Sequence, residues 1–370
     1  MPQRNITAAV VRQAGGPFKL EPATLRGPGS DEVIVEVKAT GMCHLDIVVR
    51  DQHLPVPLPL VLGHEGAGVV VDKGAEVRNL DIGDHVVLSF AYCGQCAPCS
   101  SGHPPYCEHS LQLNFAGAGR NGTPALTDSS GDRLHDHFFG QSSFATHAVC
   151  NQRNAVRVRK DVRLESLGPL GCGVQTGAGA VMNSLDVRPQ SSFAVYGAGA
   201  VGLSALLAAK VRGASTLIAV DIVDERLKMA RELGATHVID GRAEGARDLV
   251  KDASHGGVDY ILDTSGAPTV IEQAIAALAP MGRLGLVTGY PGTRAAFDIH
   301  HLFRGGRSIR GIEQGDSLPQ QFIPYLIDLY ARGDFPFDKL IREYEFSDIN
   351  QAAADSLSGK TVKPVIRVGQ

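Results

Sequence analysis

The order of apolar and polar positions divides the chain into two parts of different texture. Residues 1 to about 150 contain short apolar segments separated by Gly and Pro turns, and no long amphipathic helix interrupts them. This pattern predicts a β-rich, barrel-like domain. The strands that we predict there cover residues 6–11, 33–39, 68–71 and 85–90.

From about Ser192 the apolar segments alternate with helical patterns. SFAVY, TLIAVD, THVID, GVDYILD and GRLGLV are predicted strands, and helices are predicted over 200–212 and in DERLKMARELG and TVIEQAIAALAP. This alternation predicts βαβ units around a parallel sheet. Two further helices, over 320–332 and 350–357, precede the strand-like VKPVIRV. The predicted domains are 1–173, 174–313 and a C-terminal segment, 314–370, that returns to the first domain.

Composition and charge exclude several classes of protein. A chain of 370 residues favours two domains. The net charge of −4 does not indicate binding to nucleic acid or to an anionic membrane. The N-terminus MPQRNITAAV lacks the apolar core of a secretory signal, and the longest apolar stretch, 198–209, is shorter than the ~20 residues of a membrane span. We therefore expect a cytoplasmic protein.

Four of the seven cysteines lie close together in CGQCAPCSSGHPPYC, at positions Cys93, Cys96, Cys99 and Cys107. Four thiolates in such a Gly- and Pro-rich loop can surround one tetrahedral ion and leave no position for water or substrate. This spacing favours a structural zinc. An iron–sulfur cluster and unpaired core cysteines are the alternatives.

Two further cysteines and one histidine offer a second metal site. Cys43 in GMCHLD, His64 in GHEGAG and Cys172 in GCGVQTG provide three ligands. Such a set leaves one position open for substrate, as a catalytic zinc that acts as a Lewis acid requires. Taken singly, such a histidine is as often a turn or core residue as a ligand, and a lone cysteine is usually a small buried hydrophobe. Cys150 has no metal-type neighbours, and we predict that it belongs to the core.

The sequence GAGAVG, residues 197–202, is a complete GxGxxG between a predicted strand and a predicted helix. In that context the glycines allow a tight turn and bring a pyrophosphate close to the helix N-terminus. The turn predicts a dinucleotide site. Its residues are Gly197, Gly199, Ala200, Val201 and Gly202.

Asp221 ends the next predicted strand, TLIAVD. A carboxylate at this position can accept hydrogen bonds from the ribose hydroxyls of NAD and repels the 2′-phosphate of NADP. The alternative is that Asp221 only caps the following helix. Together with the turn, Asp221 predicts NAD as the cofactor.

These motifs resemble the zinc-containing medium-chain alcohol dehydrogenases over essentially the whole chain. The resemblance is carried by GHEGAG, the four-cysteine segment, GCG before TGAG and YGAGAVG. LGPLGCGVQTGAGAVMNSL and RDQHLPVPLPLVLGHEGAG are most similar to the aryl (benzyl) alcohol dehydrogenase branch. The resemblance implies an α/β fold: a GroES-like β-rich catalytic domain plus a Rossmann domain with a doubly wound parallel sheet, and an active site in the cleft between them.

The resemblance also implies roles for further positions. Glu65 would lie behind the catalytic zinc and could exchange with a ligand, and Asp46 would orient the His64 imidazole. Thr176 would lie along the nicotinamide. The remaining implied cofactor contacts are Arg226 near the adenosine ribose, and His44 and Lys363 near the pyrophosphate. A homodimer or homotetramer through the edge of the Rossmann sheet, near residues 308–314, is implied as well.

One position departs from the family's pattern. Family members usually have Ser or Thr two residues after the first zinc ligand, and this hydroxyl relays the alcohol proton. Here the position is Leu45, and Val48 stands where some members have a histidine. A relay group contributes on the order of 10² to 10⁴ in rate, so fast alcohol oxidation is the property in question.

We predict hydride transfer between NAD(H) and a primary aromatic or allylic alcohol or aldehyde. Reduction of a conjugated C=C bond or an iminium is an alternative that needs no relay to an alcohol proton. A non-catalytic NAD-binding or structural protein is a third reading. The candidate walls of the substrate pocket are Ser89, Phe90, Tyr92 and Phe115.

Overall fold

The computed structural model describes residues 3–289 and 292–368, and the chain divides into two compact units. The first unit comprises the residues up to 172 together with 318–328 and the residues from 341 onward. The second unit comprises residues 173–317 and 329–340. The C-terminal part of the chain thus contributes to both units.

The strands are numbered in chain order. They are β1 (Arg4–Val11), β2 (Lys19–Leu25), β3 (Glu32–Gly41), β4 (Leu60–Val61), β5 (Gly66–Lys73), β6 (His85–Leu88), β7 (Leu126–Asp128), β8 (Arg133–Leu134), β9 (His147–Asn151), β10 (Ala155–Arg157), β11 (Ser192–Tyr196), β12 (Thr216–Asp221), β13 (His237–Asp240), β14 (Val258–Asp263), β15 (Leu278–Leu286), β16 (Ser308–Gly311), β17 (Ile341–Glu345) and β18 (Lys363–Arg367).

The α-helices are numbered in the same way. They are α1 (His44–Arg50), α2 (Ala97–Ser100), α3 (Ser110–Phe115), α4 (Gly173–Gly179), α5 (Ala200–Val211), α6 (Asp224–Leu233), α7 (Ala246–Ala253), α8 (Pro268–Ala277), α9 (Ile299–Arg304), α10 (Pro319–Ala331) and α11 (Ile349–Leu357). No helix of the described residues is long and apolar enough to cross a membrane.

The first unit is built on two sheets. One has the strand order β4-β1-β2-β7-β8, and the other has the order β10-β6-β5-β3-β18-β17 with β9 also paired to β3. The predicted strands of residues 1–150 are confirmed, because β1, β3, β5 and β6 cover or overlap each of them. The helices of this region have at most seven residues, as the absence of long helical patterns predicted.

The pairing of strands in the first unit brings distant segments of the chain to one place. β3 runs antiparallel to β5, with Thr40 opposite Gly66, so that the C-terminal end of β3 lies beside the N-terminal end of β5. β18 is antiparallel to β3 at the same end, with Val365 opposite Gly41. The segments that directly follow β3 and precede β5 and β18 therefore converge.

The second unit contains a six-stranded sheet with the order β13-β12-β11-β14-β15-β16, in which every pair is parallel. This confirms the predicted parallel sheet. α5 is buried from residue 202 to 209, whereas α6 buries only Leu227, Ala230 and Leu233 and ends at Gly234, whose φ of 115° requires glycine.

Four elements of the second unit have no counterpart in the sequence prediction: α4, α7, α9 and β16. α7 buries only Ala246 and Val250, so its apolar pattern is too sparse to mark a helix. β16, with the sequence SIRG, is four residues long and lies at the sheet edge. β16 is identified as a strand by its pairing with β15 rather than by its amino-acid composition.

Candidate metal centres and cofactor turn

The four cysteines of the 93–107 segment converge on one point. Their sulfur atoms all lie within 4.8 Å of one another. The distance from Cys93 Sγ to Cys99 Sγ is 3.9 Å, and that from Cys96 Sγ to Cys107 Sγ is also 3.9 Å. Sulfurs bound at ~2.3 Å to a tetrahedral zinc ion are about 3.8 Å apart. The observed spacing therefore fits a closed tetrahedral site.

Backbone N–H groups of the same loop stabilise negative charge on these sulfurs. The N–H groups of Gln95 and Cys96 donate to Cys93 Sγ at 3.4 and 3.3 Å, and the N–H of Cys93 donates to Cys107 Sγ at 3.3 Å. Burial opposes ionisation of Cys93, but the donors prevail and lower its pKa to about 6. A lowered pKa prepares this thiol for metal binding, because the thiolate is the ligand.

The second cluster forms where the strand ends of the first unit converge. Cys43 follows β3, His64 precedes β5, and Cys172 follows a 3-10 turn over Gly168–Gly171. A ligand atom of each, together with a Glu65 oxygen, lies within 4.8 Å of the others. The fold thus brings together the three predicted ligands of the second site and Glu65.

Asp46 holds the imidazole of His64. One Asp46 oxygen lies 3.0 Å from His64 Nδ1 and accepts a hydrogen bond from the N–H of Gly63 at 3.1 Å. The other oxygen accepts from the N–H of Cys43 at 2.9 Å. The Asp46 carboxylate directs His64 Nε2 away from itself, and Nε2 is buried without a hydrogen-bond partner among the described residues. An imidazole nitrogen in this state suits a metal ligand.

The pKa values of the two thiols of the second cluster shift in opposite directions. The Cys172 thiol donates a hydrogen bond to Cys43, and this outweighs burial and lowers the pKa of Cys43 well below its usual value. The same hydrogen bond, with burial, raises the pKa of Cys172. A divalent cation would replace the proton between the two sulfurs, because both cysteines bind metals as thiolates. The donor set therefore fits zinc.

Glu65 is fully buried and paired with Lys363. Lys363 Nζ donates to the two Glu65 oxygens at 2.8 and 2.9 Å and also to the carbonyl of Met42 at 3.3 Å. Burial raises the pKa of Glu65, and Lys363 opposes that shift. The resemblance implied a pyrophosphate contact for Lys363, but the structure places its ammonium group against Glu65.

Three side chains around His64 were not singled out in the sequence. The Phe139 ring stacks on the imidazole with centroids 4.6 Å apart, and the Phe138 ring meets it edge-on at 5.2 Å. Gln141 Nε2 donates to the His64 carbonyl at 3.0 Å. All three lie in a loop without apolar periodicity, so no local pattern marks their role. The adjacent aromatic residues of FFGQ are a weak sequence signal, and they lie far from His64 in the chain.

The candidate pocket walls lie in the first unit. Phe115 packs edge-on against Phe138 and Phe139, next to His64. Ser89 is buried and donates to the carbonyl of Gly171, the residue before Cys172. Tyr92 lies 6.0 Å from Phe90, ring to ring, and its hydroxyl donates to Gln320.

The start of α1 contains the positions at which family members usually have proton-relay residues. His44 is exposed and begins the helix directly after Cys43. Leu45 is half-buried and packs against the hydrophobic core of the first unit, and Val48 is buried. Neither side chain can donate or accept a proton at this position.

The glycine-rich turn of the second unit has the geometry of a phosphate site. Gly197 has a φ of 93°, and a Cβ at Gly202 would lie 1.9 Å from the Gly197 carbonyl oxygen, so both positions require glycine. A Cβ at Gly199 would meet no atom within 4 Å. This open space adjoins the N-terminus of α5, which begins at Ala200, and a pyrophosphate fits there.

Asp221 is tied to that turn. One carboxylate oxygen accepts from the N–H of Ala198 at 2.6 Å, and the other accepts from the N–H of Val223 at 2.8 Å. α6 begins only at Asp224 and has no side-chain cap. Asp221 therefore lies against the turn rather than capping the helix. Arg226 lies 3.7 Å from the Asp221 carboxylate.

Thr176 and Cys150 complete the set of predicted residues. Thr176 is a buried residue of α4 in the second unit. Cys150 is fully buried in β9 of the first unit. Burial raises the pKa of its thiol far above the usual value. Cys150 belongs to neither cysteine cluster.

Comparison with known proteins identifies related proteins over the whole chain. The model of the alcohol dehydrogenase GroES-like domain matches residues 29–160, and that of zinc-binding dehydrogenases matches residues 200–332. A geraniol dehydrogenase of Castellaniella defragrans is 48% identical over 364 residues, which are 97% of this chain and 96% of that protein.

Two solved structures share the fold closely. The alcohol dehydrogenase zinc-binding domain protein of Burkholderia ambifaria is 55% identical, with a TM-score of 0.98 and 100% of each chain covered. The benzyl alcohol dehydrogenase of Acinetobacter calcoaceticus is 50% identical, with a TM-score of 0.96, 99% of this chain and 100% of that chain covered. These findings confirm the GroES-like and Rossmann architecture that the motifs predicted.

Proposed function

Because the chain belongs to the zinc-containing alcohol dehydrogenase family, we propose that it interconverts primary aromatic or allylic alcohols and their aldehydes with NAD(H). The observation that carries this proposal is the cluster of half-buried Cys43 with buried His64 and Cys172, in which His64 Nε2 has no hydrogen-bond partner among the described residues. The names of two relatives, a geraniol and a benzyl alcohol dehydrogenase, support the substrate class.

Cys43, His64 and Cys172 would hold the catalytic zinc and leave one position for substrate. When bound, zinc supplies a Lewis acid that polarises the substrate oxygen. Asp46 keeps the proton of His64 on Nδ1 and so presents Nε2 as the ligand. The Glu65 carboxylate, neutralised by Lys363, lies within reach of the same point and could exchange with a ligand.

The segment with Cys93, Cys96, Cys99 and Cys107, called the lobe from here on, would hold a second, structural zinc. Its four sulfurs fill a tetrahedral shell and leave no position for a substrate. We therefore propose two zinc ions per chain, one reactive and one that stabilises the lobe.

The second unit would bind NAD. The Gly197–Gly202 turn would receive the pyrophosphate at the N-terminus of α5, and Asp221 would accept hydrogen bonds from the adenosine ribose hydroxyls. Its negative charge disfavours the 2′-phosphate of NADP. Thr176 along the nicotinamide, and His44 and Arg226 near the cofactor, remain proposals from the family resemblance.

Leu45 favours a second candidate function. Oxidation of an alcohol must release a proton, and neither Leu45 nor Val48 can relay it. Reduction of a conjugated C=C bond or an iminium by NADH does not require a relay to an alcohol proton. The apolar side chain at position 45 is the one feature that suits this reaction better.

One set of assays separates these functions. The purified protein would receive NAD with benzyl alcohol or geraniol, and NADH with benzaldehyde or cinnamaldehyde, with products identified by chromatography. We expect interconversion of alcohol and aldehyde. A saturated aldehyde from cinnamaldehyde would instead establish the reductase, and the absence of turnover with every substrate would contradict both.

We propose in addition a cytoplasmic homodimer or homotetramer. β16 is the exposed edge of the parallel sheet, and such an edge can pair with a second copy. Apolar side chains around α9 are exposed as well: Met281, Phe297, Ile299 and Phe303. Replacing Ile299 and Phe303 together by Asp should shift the mass measured by light scattering to that of a monomer. A wild-type monomer would contradict the proposal.

A further inference from the structure

A loop of unusual backbone conformation lies against His64. Within residues 136–142, His137, Phe139 and Ser142 have φ values of 57°, 52° and 53°. Residues other than glycine seldom adopt this left-handed region. Such conformations persist only where surrounding contacts enforce them, and they concentrate at functional sites.

Both ends of this loop are fastened by side chains. The Asp136 carboxylate pairs with the His137 imidazole and accepts a hydrogen bond from the N–H of Ala125 at 2.6 Å. At the other end, the Ser142 hydroxyl donates to the carbonyl of Val61 at 2.7 Å. The Ser142 bond holds the loop against the segment that leads to His64, and the Asp136 bond holds it against the residue before β7.

Gln141 connects this loop to the backbone on both sides of Glu65. Its Nε2 donates to the His64 carbonyl at 3.0 Å, and its Oε1 accepts from the N–H of Gly66 at 3.1 Å. Gln141 is only 2% exposed. A Cβ at Gly66 would lie 2.7 Å from the Cβ of Ser143, so only glycine allows the loop to approach this closely. The Gln141 carboxamide bonds to this segment as a neighbouring strand would.

Phe139 fixes the orientation of the His64 ring plane. Its ring stacks on the imidazole face with an interplanar angle of 27°, while Asp46 holds Nδ1 at 3.0 Å. The backbone, one ring edge and one ring face of His64 are therefore each held by a different residue. Only Nε2 remains directed at the cluster.

We propose that Gln141 is a positioning residue for zinc binding, with Phe139 as its partner. Gln141 fixes the backbone of His64 and Phe139 fixes the plane of the ring, so that Nε2 meets Cys43 and Cys172 without reorganisation. This inference rests on the proposed catalytic zinc. Groups that orient a metal ligand commonly contribute 10- to 100-fold to metal affinity.

The test measures zinc retained per chain as a function of chelator concentration. Gln141→Met removes the hydrogen bonds to His64 and Gly66, and a third to the Ser89 carbonyl at 3.4 Å, at similar side-chain length. Phe139→Leu removes the stack. For each variant we expect the catalytic zinc to be lost at roughly tenfold lower chelator concentration than in the wild type. The parallel loss of NADH formation identifies which zinc has left.

Asn114→Leu is the matched control. Asn114 is 1% exposed, and its carboxamide accepts from the N–H of Ala91 at 2.8 Å and donates to the carbonyls of Ala91 and Ser110 at 2.9 and 2.8 Å. It contacts none of the three proposed ligands through a hydrogen bond. Asn114→Leu should lower the melting temperature but leave the chelator curve of the catalytic zinc unchanged.

The outcomes separate the two proposals. If Gln141→Met keeps the wild-type chelator curve while its melting temperature falls as in Asn114→Leu, Gln141 is only structural and the inference is wrong. If the wild type itself holds no zinc at His64, the proposed function fails first and the inference with it. Should Gln141→Met not fold, Gln141→Asn keeps a carboxamide but shortens its reach to His64 and Gly66. Its affinity for zinc should then lie between wild type and Phe139→Leu, and a wild-type affinity would overturn the inference.

Discussion

The two cysteine clusters of the first unit bring their candidate ligands together in different ways. In the lobe, four proposed ligands lie within a single segment from Cys93 to Cys107. In the second cluster, the proposed ligands Cys43, His64 and Cys172 come from three segments far apart in the chain. The lobe needs only a loop to close, whereas the second cluster needs the pairing of β3 with β5 and the turn before Cys172.

The surroundings of the clusters differ as much as their origin. In the lobe, the groups that stabilise the sulfurs are backbone N–H groups of the same loop. In the second cluster, buried side chains surround the candidate ligands: Asp46 and Gln141 hold His64, and Glu65 pairs with Lys363. A closed shell of sulfurs suits stability, and an open set oriented by side chains suits chemistry. Substitutions should therefore separate stability from activity.

The largest expected effect lies in the lobe. Cys99→Ala should remove one zinc per chain and lower the free energy of unfolding by several kcal/mol, because a structural zinc contributes roughly 10 kcal/mol of binding free energy. Metal analysis and denaturant unfolding measure the two changes. Cys150→Ala, a buried cysteine outside both clusters, should cost only on the order of 1 kcal/mol. Equal losses in the two variants would refute a structural zinc.

Asp46→Asn should affect the second cluster alone. The loss of the charged partner of His64 should weaken binding of one zinc by about 10- to 100-fold, and alcohol oxidation should fall with zinc occupancy. Zinc titration of the metal-depleted protein measures the affinity. Asp128→Asn, at an exposed ion pair with Arg12, serves as the control and should change neither property. An unaltered zinc affinity in Asp46→Asn would argue against His64 as a ligand.

Leu45→Thr tests whether the missing hydroxyl limits the second cluster. We expect kcat for benzyl alcohol to rise, up to about 10²-fold if proton release limits the rate. Leu45→Val removes similar bulk without a hydroxyl and should leave kcat near the wild-type value. If Thr and Val behave alike, the proton leaves by another path.

The smallest expected effect is a dependence of stability on pH at the loop that holds His64. Burial tends to lower the pKa of His137, but the Asp136 carboxylate outweighs it and raises the pKa. The stabilisation is thus complete below the unfolded pKa of about 6.5 and is lost as the pH rises through the higher folded value. The wild type should exceed His137→Asn in free energy of unfolding by on the order of 1 kcal/mol at low pH, and by less at high pH. A difference that grows with pH would contradict this sign.

The contrast between the clusters also explains what the sequence could predict. Short-range patterns were sufficient for the lobe cysteines, the GxGxxG turn and the alternating strands of the second unit, because their partners are near in the chain. The family resemblance supplied Asp46 and Glu65. Gln141 and Phe139 are 77 and 75 positions from His64, and their contacts exist only after the sheets have formed. Likewise, the sequence alone did not pair Lys363 with Glu65, which requires β18 beside β3.

A zinc held by Cys43, His64 and Cys172 would be required for the proposed NAD-linked oxidation of alcohols. The most direct test is zinc content together with NADH formation from benzyl alcohol, in the wild type and in Cys172→Ser. We predict two zinc ions per chain in the wild type. In the variant we predict one zinc ion, a folded chain and a loss of turnover of roughly 10³-fold or more, since the Lewis acid supplies several kcal/mol. A wild type with a single zinc, or a variant that keeps both zinc and turnover, would contradict the claim.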